Sequence, residues 1–217
     1  MDKQISERVV ERLPKYYRYL QELCKNQIQR VSSKTISKAL NITASKVMKD
    51  LSHFGGFGQT GVGYNVEYLR DTMKEILGIN NVHTAIVIGG GRIGQALISY
   101  QGFKGENVFV KAVFDVTTKH LSSVKGVEVY NVSELEEYLS KNPTDIAIIS
   151  VQKEQAEKVA KRVVDCGVKS IWNFAPIDLK VPENVVINNV HLTDSLLVLT
   201  YRLHQMELSE AQTEGNE

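Results

Sequence analysis

Cysteine is nearly absent from these 217 residues: Cys24 and Cys166 are too few and too far apart to suggest a disulfide framework. A reducing cytoplasm is the simplest compartment for such a chain. No apolar run approaches the length of about 18 residues that a transmembrane helix needs. The N-terminus has no apolar core of a secretory signal. Neither a membrane nor an export route is therefore expected. Histidine is scarce, at His53, His83, His120, His191 and His204. None of these falls into a metal-ligand spacing or a Ser/His/Asp arrangement, so no metal and no triad is expected. What is present is ordinary: hydrophobic residues make up 42% and charged ones 24%, enough to fold one large domain or two modest ones.

The near-neutral net charge of +1 hides a division. Residues 8–49 carry 10 Lys and Arg against 2 Asp and Glu, whereas residues 81–217 carry 13 against 17. A basic block of this kind is the electrostatic footprint of a nucleic-acid contact, or else a well-solvated helical face. Its pattern favours the first. Ile5, Val9, Val10, Leu13, Tyr16, Tyr17, Leu20, Leu23 and Cys24 repeat at helical spacing, with a break or the first turn of a new helix expected at Pro14. Ser32-Ser33-Lys34 opens a short helix with Ile36, Ala39 and Leu40 inward. Asn41-Ile42-Thr43 turns the chain, Thr43 caps, and a second helix from Ala44 keeps Val47, Met48 and Leu51 inside. This is a helix-turn-helix, whose second helix exposes Ser45, Lys46, Lys49 and Asp50 to a major groove. Five glycines in residues 55–63 then make a wing suited to a minor groove or to phosphates. Ser45, Lys46, Lys49, Gln59, Thr60 and Tyr64 are the candidate DNA contacts. Tyr64 and Phe57 also serve as the wing's own core, and His53 reads as a capping or packing residue. Residues 66–77 form an amphipathic connector ending at Gly78.

The most specific signal lies at residues 84–115. An apolar strand leads into Gly89, Gly91 and Gly94 at G-x-G-x-x-G spacing, then a helix, then a second apolar strand ending in Asp115. Gly89 allows the tight turn, Gly91 leaves room for a pyrophosphate, and Gly94 lets the helix approach the sheet. The phosphates rest on the helix N-terminus. Asp115, 21 residues past Gly94, is placed to accept from a ribose 2′-hydroxyl, which favours NAD over NADP. Gly90, Arg92 and Ile93 complete the candidate cofactor loop.

Strands expected at 127–130, 145–151, 170–174 and 185–187 alternate with helices at 133–141 and 153–166. Ser133 is the expected cap of the first of these helices, with Glu136 completing a capping box. The pattern reads as a Rossmann-like, doubly wound parallel sheet. Ser150-Val151 and Asn173–Pro176 are expected beside the glycine loop at the carboxyl ends of the strands. Residues 191–208 form a last helix, apolar on nearly every side, expected to be buried in a partner subunit. Residues 209–217 read as a disordered tail. The expected division is 1–80 winged helix with connector, 81–190 dinucleotide-binding domain, and 191–208 final helix.

The sheet consumes nearly all the residues after Asp115, leaving no material for a substrate domain. The dinucleotide is then a signal rather than a reagent, and no enzyme is expected. Two alternatives stand: a small NAD-dependent oxidoreductase with a basic dimerisation arm, and a coenzyme A-binding module.

The segments SSKTISKALNITASKVMKDLSHFGGFGQTGVGYNV, GGGRIGQALISYQGF and WNFAPIDL, in this order, resemble the Rex family of redox-sensing transcriptional repressors over almost the whole chain. The resemblance implies an α/β chain with an N-terminal winged helix-turn-helix, a Rossmann-like sheet and a C-terminal helix exchanged in a homodimer. It implies an inverted-repeat double-stranded operator, bound with NAD+ or free and released on NADH. It also implies that Tyr100 helps distinguish reduced from oxidised cofactor. Where the family carries an aspartate paired with that tyrosine, this chain has His191, with Asp194 one turn on. His191 reads either as a group titrating near neutral pH or as a helix-start residue.

Overall fold

The apolar spacing between Val9 and Leu20 folds as two helices, not one. α1 (Glu7–Val10) stops short, and α2 (Leu13–Lys25) begins with Pro14 in its first turn, where the missing N–H costs nothing. The computed structural model describes residues 5–54, 58–59, 62–100, 102–117 and 123–214. It divides the chain into two units, residues 1–81 and 82–217.

In the first unit, β1 (Arg30–Val31) precedes α3 (Ser33–Leu40), whose cap Ser32 accepts from the Thr35 N–H. Asn41 turns the chain in the left-handed region at φ 53°. Thr43 then caps α4 (Ala44–Ser52), accepting from the Lys46 N–H. β2 (Gly58–Gln59) and β3 (Gly63–Asn65) follow, with β3 paired antiparallel to both β1 and β2. Gly63 has φ +76°, and an added Cβ would stand 2.8 Å from the Val31 carbonyl oxygen, so only glycine lets β3 lie this close to β1. α5 (Val66–Ile76) is capped by Asn65. Val9, Leu13, Tyr16, Leu20, Ile36, Val47, Leu51, Val66, Leu69 and Met73 form one apolar core.

Two expectations for α4 fail. Met48 is half exposed, and Asp50 is buried. At about 100° per residue Met48 and Asp50 flank the Val47–Leu51 stripe equally, one on each side, and the bonds that Asp50 accepts from Arg12 and Tyr16 turn its side inward. Ala39 of α3 is likewise exposed.

In the second unit the strands are β4 (His83–Ile88), β5 (Val108–Asp115), β6 (Ser123–Val124), β7 (Val127–Asn131), β8 (Ile146–Ile149), β9 (Ser170–Asn173) and β10 (Val186–Asn189). The helices are α6 (Arg92–Ser99), α7 (Gly102–Gly105), α8 (Leu135–Lys141), α9 (Lys153–Asp165) and α10 (Leu192–Glu214). The sheet order is β10-β9-β8-β4-β5-β7-β6, parallel except for the β6–β7 pair. β4, β5 and β8 are buried on both faces, as their unbroken apolar runs require. Ile86, Ile88, Phe114 and Ile149 pack towards Leu135 of α8 and Val159 of α9. Ala85, Val87, Val113 and Ile148 face the other way, towards Ile98 of α6. From β4 the chain moves outward through β5 and β7, then returns to β8 on the other side of β4. That reversal opens a crevice at the carboxyl ends of β4 and β8, where ligands of such sheets bind.

Three details differ from the sequence reading. β6 and β7 form a hairpin across Lys125 and Gly126, both at positive φ, the signature of a two-residue turn. The helical segment after β7 opens as a 3-10 turn, Val132–Glu134. Its cap is Asn131, because the Asn131 carboxamide and the Glu134 carboxylate reach each other's backbone N–H groups reciprocally. Finally, α10 runs to Glu214 through what was expected to be a disordered tail, since Ser209–Glu214 lacks glycine and proline. Its side chains from Leu192 to Ala211 are all exposed, so α10 is not buried by the described part of its own chain.

Candidate functional site

The glycine loop is built by close backbone contacts. At Gly89, φ is +105°, and an added Cβ would lie 2.5 Å from the Ser150 carbonyl oxygen. At Gly94 it would lie 1.9 Å from the Gly89 carbonyl oxygen. Both glycines are therefore demanded by the protein's own packing, one to turn out of β4 and one to seat α6. Gly91 differs: among the described residues, its own chain neighbours aside, nothing lies within 4 Å of its added Cβ. Its smallness serves no internal contact and leaves clearance over the N-terminus of α6, where N–H groups lack helical partners.

Other bonds hold the loop. The Ser150 hydroxyl donates to the Gly89 carbonyl oxygen at 2.9 Å, and the Gln95 amide donates to the Gly90 carbonyl oxygen at 2.8 Å. Asp115 ends β5 and accepts from the Gly90 N–H at 2.6 Å and from the Thr117 N–H at 2.9 Å. One carboxylate thus fastens the glycine loop to the end of the neighbouring strand. Each oxygen retains a second lone pair, so a diol hydroxyl can still donate to it. Gly89, Gly91, Asp115, Ser150, Val151 and Arg162 share a cavity of about 490 Å³. The cradle fits a dinucleotide: open glycine, helix N-terminus and terminal acid meet at one crevice. Arg92 and Ile93 lie exposed on the first turn of α6.

Tyr100 is not brought to that crevice. It stands at the other end of α6, 61% exposed, edge-on to Phe103 at 5.0 Å. Phe103 in turn meets Trp172 edge-on at 5.7 Å.

Sequence reading missed a buried clasp beyond β9. Asn173, fully buried, donates to the Ile177 carbonyl oxygen at 2.7 Å and to the Asn189 carboxamide oxygen at 2.9 Å. Asn189 also accepts from the Leu179 N–H at 3.1 Å. The loop carrying Asp178 is thereby pinned between the ends of β9 and β10. Asp178 meets His191 Nε2 at 2.8 Å, just before α10, and this bond raises the His191 pKa above its ordinary value. His191 is thus neither unpartnered nor bound to Tyr100 within one chain.

In the first unit, Ser45, Lys46 and Lys49 are exposed on α4, as expected of a reading face. Gln59 lies in β2, and its side chain, with Thr60 and Phe57, falls outside the described residues. Tyr64 packs partly against the core, and burial pushes its hydroxyl pKa up. His53 ends α4 and lies edge-on to Phe54 at 6.4 Å. Asp50 faces inward and accepts from Arg12 and Tyr16. Among the described residues no group of three His, Cys, Asp or Glu could hold a metal ion, and no helix is long and apolar enough to cross a membrane.

Comparison with known proteins follows the same division. Residues 4–52 match the family model described as a putative DNA-binding protein N-terminus, and residues 80–177 match a CoA binding domain. The redox-sensing transcriptional repressor Rex of Clostridium botulinum is 49% identical over 94% of this chain and 98% of its own. That of Caldanaerobacter subterraneus is 45% identical over 94% of this chain and 92% of its own. The solved structure of RSP with β-NAD+ and operator DNA is 43% identical, superposes with a TM-score of 0.87, and is covered over 97% of its length by 96% of this chain. RSP with β-NADH is 41% identical with a TM-score of 0.88, over 97% of this chain and 99% of its own. A glycine cradle behind a basic helix-turn-helix, with relatives this similar from end to end, places the chain in one family: it belongs to the Rex redox-sensing transcriptional repressors.

Proposed function

We propose that this chain binds a double-stranded, inverted-repeat operator as a homodimer and releases it when NADH replaces NAD+. The observation that carries the reading is the pairing, in one chain, of a glycine loop with unneeded clearance at Gly91 and a capped helix-turn-helix exposing Lys46 and Lys49. The RSP structures, with NAD+ and operator DNA in one and NADH in another, support it. Gly89, Gly90, Gly91, Arg92, Ile93, Gly94 and Asp115 hold the part of the cofactor common to both redox forms. Discrimination then falls to groups near the nicotinamide, with Tyr100 and the partner's last helix as the candidates. Ser45, Lys46, Lys49, Gln59, Thr60 and Tyr64 are the proposed DNA contacts.

α10 supports the dimer. Leu192, Leu196, Leu197, Leu199, Tyr201, Leu203 and Met206 are each at least 50% exposed, apolar side chains that the described residues of one chain leave bare. A second copy covers it. A dimer sets the spacing of two reading helices, and half-sites demand a fixed spacing. The cofactor shifts that spacing only by binding the two dimer states unequally. The reading implies a cytoplasmic protein. A gel shift on the chain's own upstream DNA, with NADH and NAD+ titrated in parallel, tests it.

The match of residues 80–177 to a CoA binding domain favours a second reading, in which the cradle takes coenzyme A. Calorimetry with NADH against coenzyme A separates the two. The ribose diol acceptor at Asp115 favours NADH, since coenzyme A carries a 3′-phosphate there.

A further inference from the structure

Asp50 is a carboxylate on the DNA-facing helix, yet it is only 2% exposed. Burying a charge costs several kcal/mol unless it is paired and hydrogen-bonded. Here three donors meet it. Arg12 Nε reaches Oδ2 at 2.7 Å, Arg12 Nη2 reaches Oδ1 at 2.7 Å, and the Tyr16 hydroxyl reaches Oδ2 at 2.8 Å. Burial alone would push the carboxyl pKa up, but the bonds from Arg12 and Tyr16 outweigh it and hold it below the usual carboxylate range. Arg12 immediately precedes α2, and Tyr16 lies in its first turn.

The other inward residues of α4, Val47 and Leu51, are apolar. Such contacts hold a helix near the core but have little direction, so they tolerate small rotations. A planar guanidinium–carboxylate fork is directional. Rotating a helix of about 5 Å side-chain radius by about 20° moves its tips by roughly 2 Å, enough to break base contacts. Arg12 also neutralises Asp50, so the exposed lysines on α4 keep their attraction for phosphates. Buried ion pairs seldom add net stability over an apolar replacement, and their best-attested use is to set register.

We propose that Asp50 is a positioning residue of DNA recognition: clamped by Arg12 and Tyr16, it fixes the rotation of α4 and so the phase at which Ser45, Lys46 and Lys49 meet the bases. The proposal rests on the reading of α4 as the DNA-facing helix.

The test uses the full-length chain and a duplex that the wild-type protein selects from a randomised pool. The same duplex with one base pair changed in each half-site serves as competitor, and a random-sequence duplex as the non-specific reference. Arg12→Met/Tyr16→Phe/Asp50→Leu replaces the cluster with apolar groups, and Arg12→Lys keeps the charge without the fork. The triple variant is expected to melt no lower than wild type and to bind NADH unchanged. Its preference for the selected duplex should fall about tenfold, the worth of a misaligned base contact, while random-duplex affinity changes less than about threefold. Arg12→Lys should lose part of the preference, and it carries the test alone if the triple variant does not fold. A folded variant whose preference stays within about twofold of wild type overturns the proposal. Loss of affinity for all duplexes alike, in step with a lowered melting point, overturns it too, because that is merely structural damage. A wild-type chain that selects no duplex overturns the DNA reading, and this proposal with it.

Discussion

Gly91 and Gly94 stand three residues apart, and their alanine variants should behave oppositely. In Gly94→Ala the new methyl meets the Gly89 carbonyl oxygen at 1.9 Å, so α6 must move away from the sheet. A loss of about 2 kcal/mol or more is expected, read as a lower denaturant midpoint. In Gly91→Ala the methyl meets nothing within 4 Å among the described residues beyond its own chain neighbours. Its denaturation curve should match wild type, while its affinity for NADH by calorimetry falls. Equal destabilisation of both variants would refute the division between a packing glycine and a clearance glycine. His191 offers a second residue-scale test. Its pKa is raised by the bond to Asp178. The stabilisation this pair contributes is therefore full below the ordinary histidine value near 6.5, and is lost as pH rises through the raised one. A histidine NMR titration should place His191 above 6.5 in wild type and lower in Asp178→Asn. An identical pKa in both would show that the pair does not form in solution.

The lesson at the scale of elements is that helical phase was legible where apolar residues alternate cleanly, and was lost where a polar residue turns inward. Thr43 as cap and Ala44 as start of α4 follow from local chemistry. Asp50 could not be placed from composition, because an aspartate beside two exposed lysines reads as solvent-facing. Its partner Arg12 lies 38 residues away, a contact that only the tertiary fold creates. The same holds for Asn173 and Asn189, and for Asp115 on the Gly90 N–H. The glycine loop was legible because each glycine answers a local backbone demand. Tyr100 was tied to redox discrimination by resemblance alone, and α6 places it at the end away from the glycine loop. Asp50 also gives α4 a pH signature. Its carboxyl is held below the usual value of 3.8, so the pair contributes in full above that value. That contribution is lost as pH falls through the lowered one. Acid unfolding of the first unit, followed by hydrogen exchange of α4, should begin at higher pH in Arg12→Met than in wild type. No difference would mean that the pair is energetically silent.

For the whole molecule, α10 and the two units must act together. A helix whose apolar side chains between Leu192 and Leu208 are left bare by the described residues of its own chain is an element awaiting a partner. Leu196→Glu/Leu203→Glu should convert a dimer to a monomer in analytical ultracentrifugation. Its operator affinity should fall steeply, because two half-site contacts are no longer tied together. A monomeric wild type, or a variant that remains dimeric, would remove α10 from the interface. Redox control of the operator requires the cradle in residues 82–217 to act on α4 in residues 1–81. The most direct measurement is operator affinity of the full-length chain by fluorescence anisotropy, at fixed salt, with NADH and NAD+ titrated separately. The account predicts that NADH abolishes specific binding at concentrations where NAD+ leaves it intact, and that Gly91→Ala requires more NADH to do so. Equal operator affinity with and without saturating NADH would contradict it.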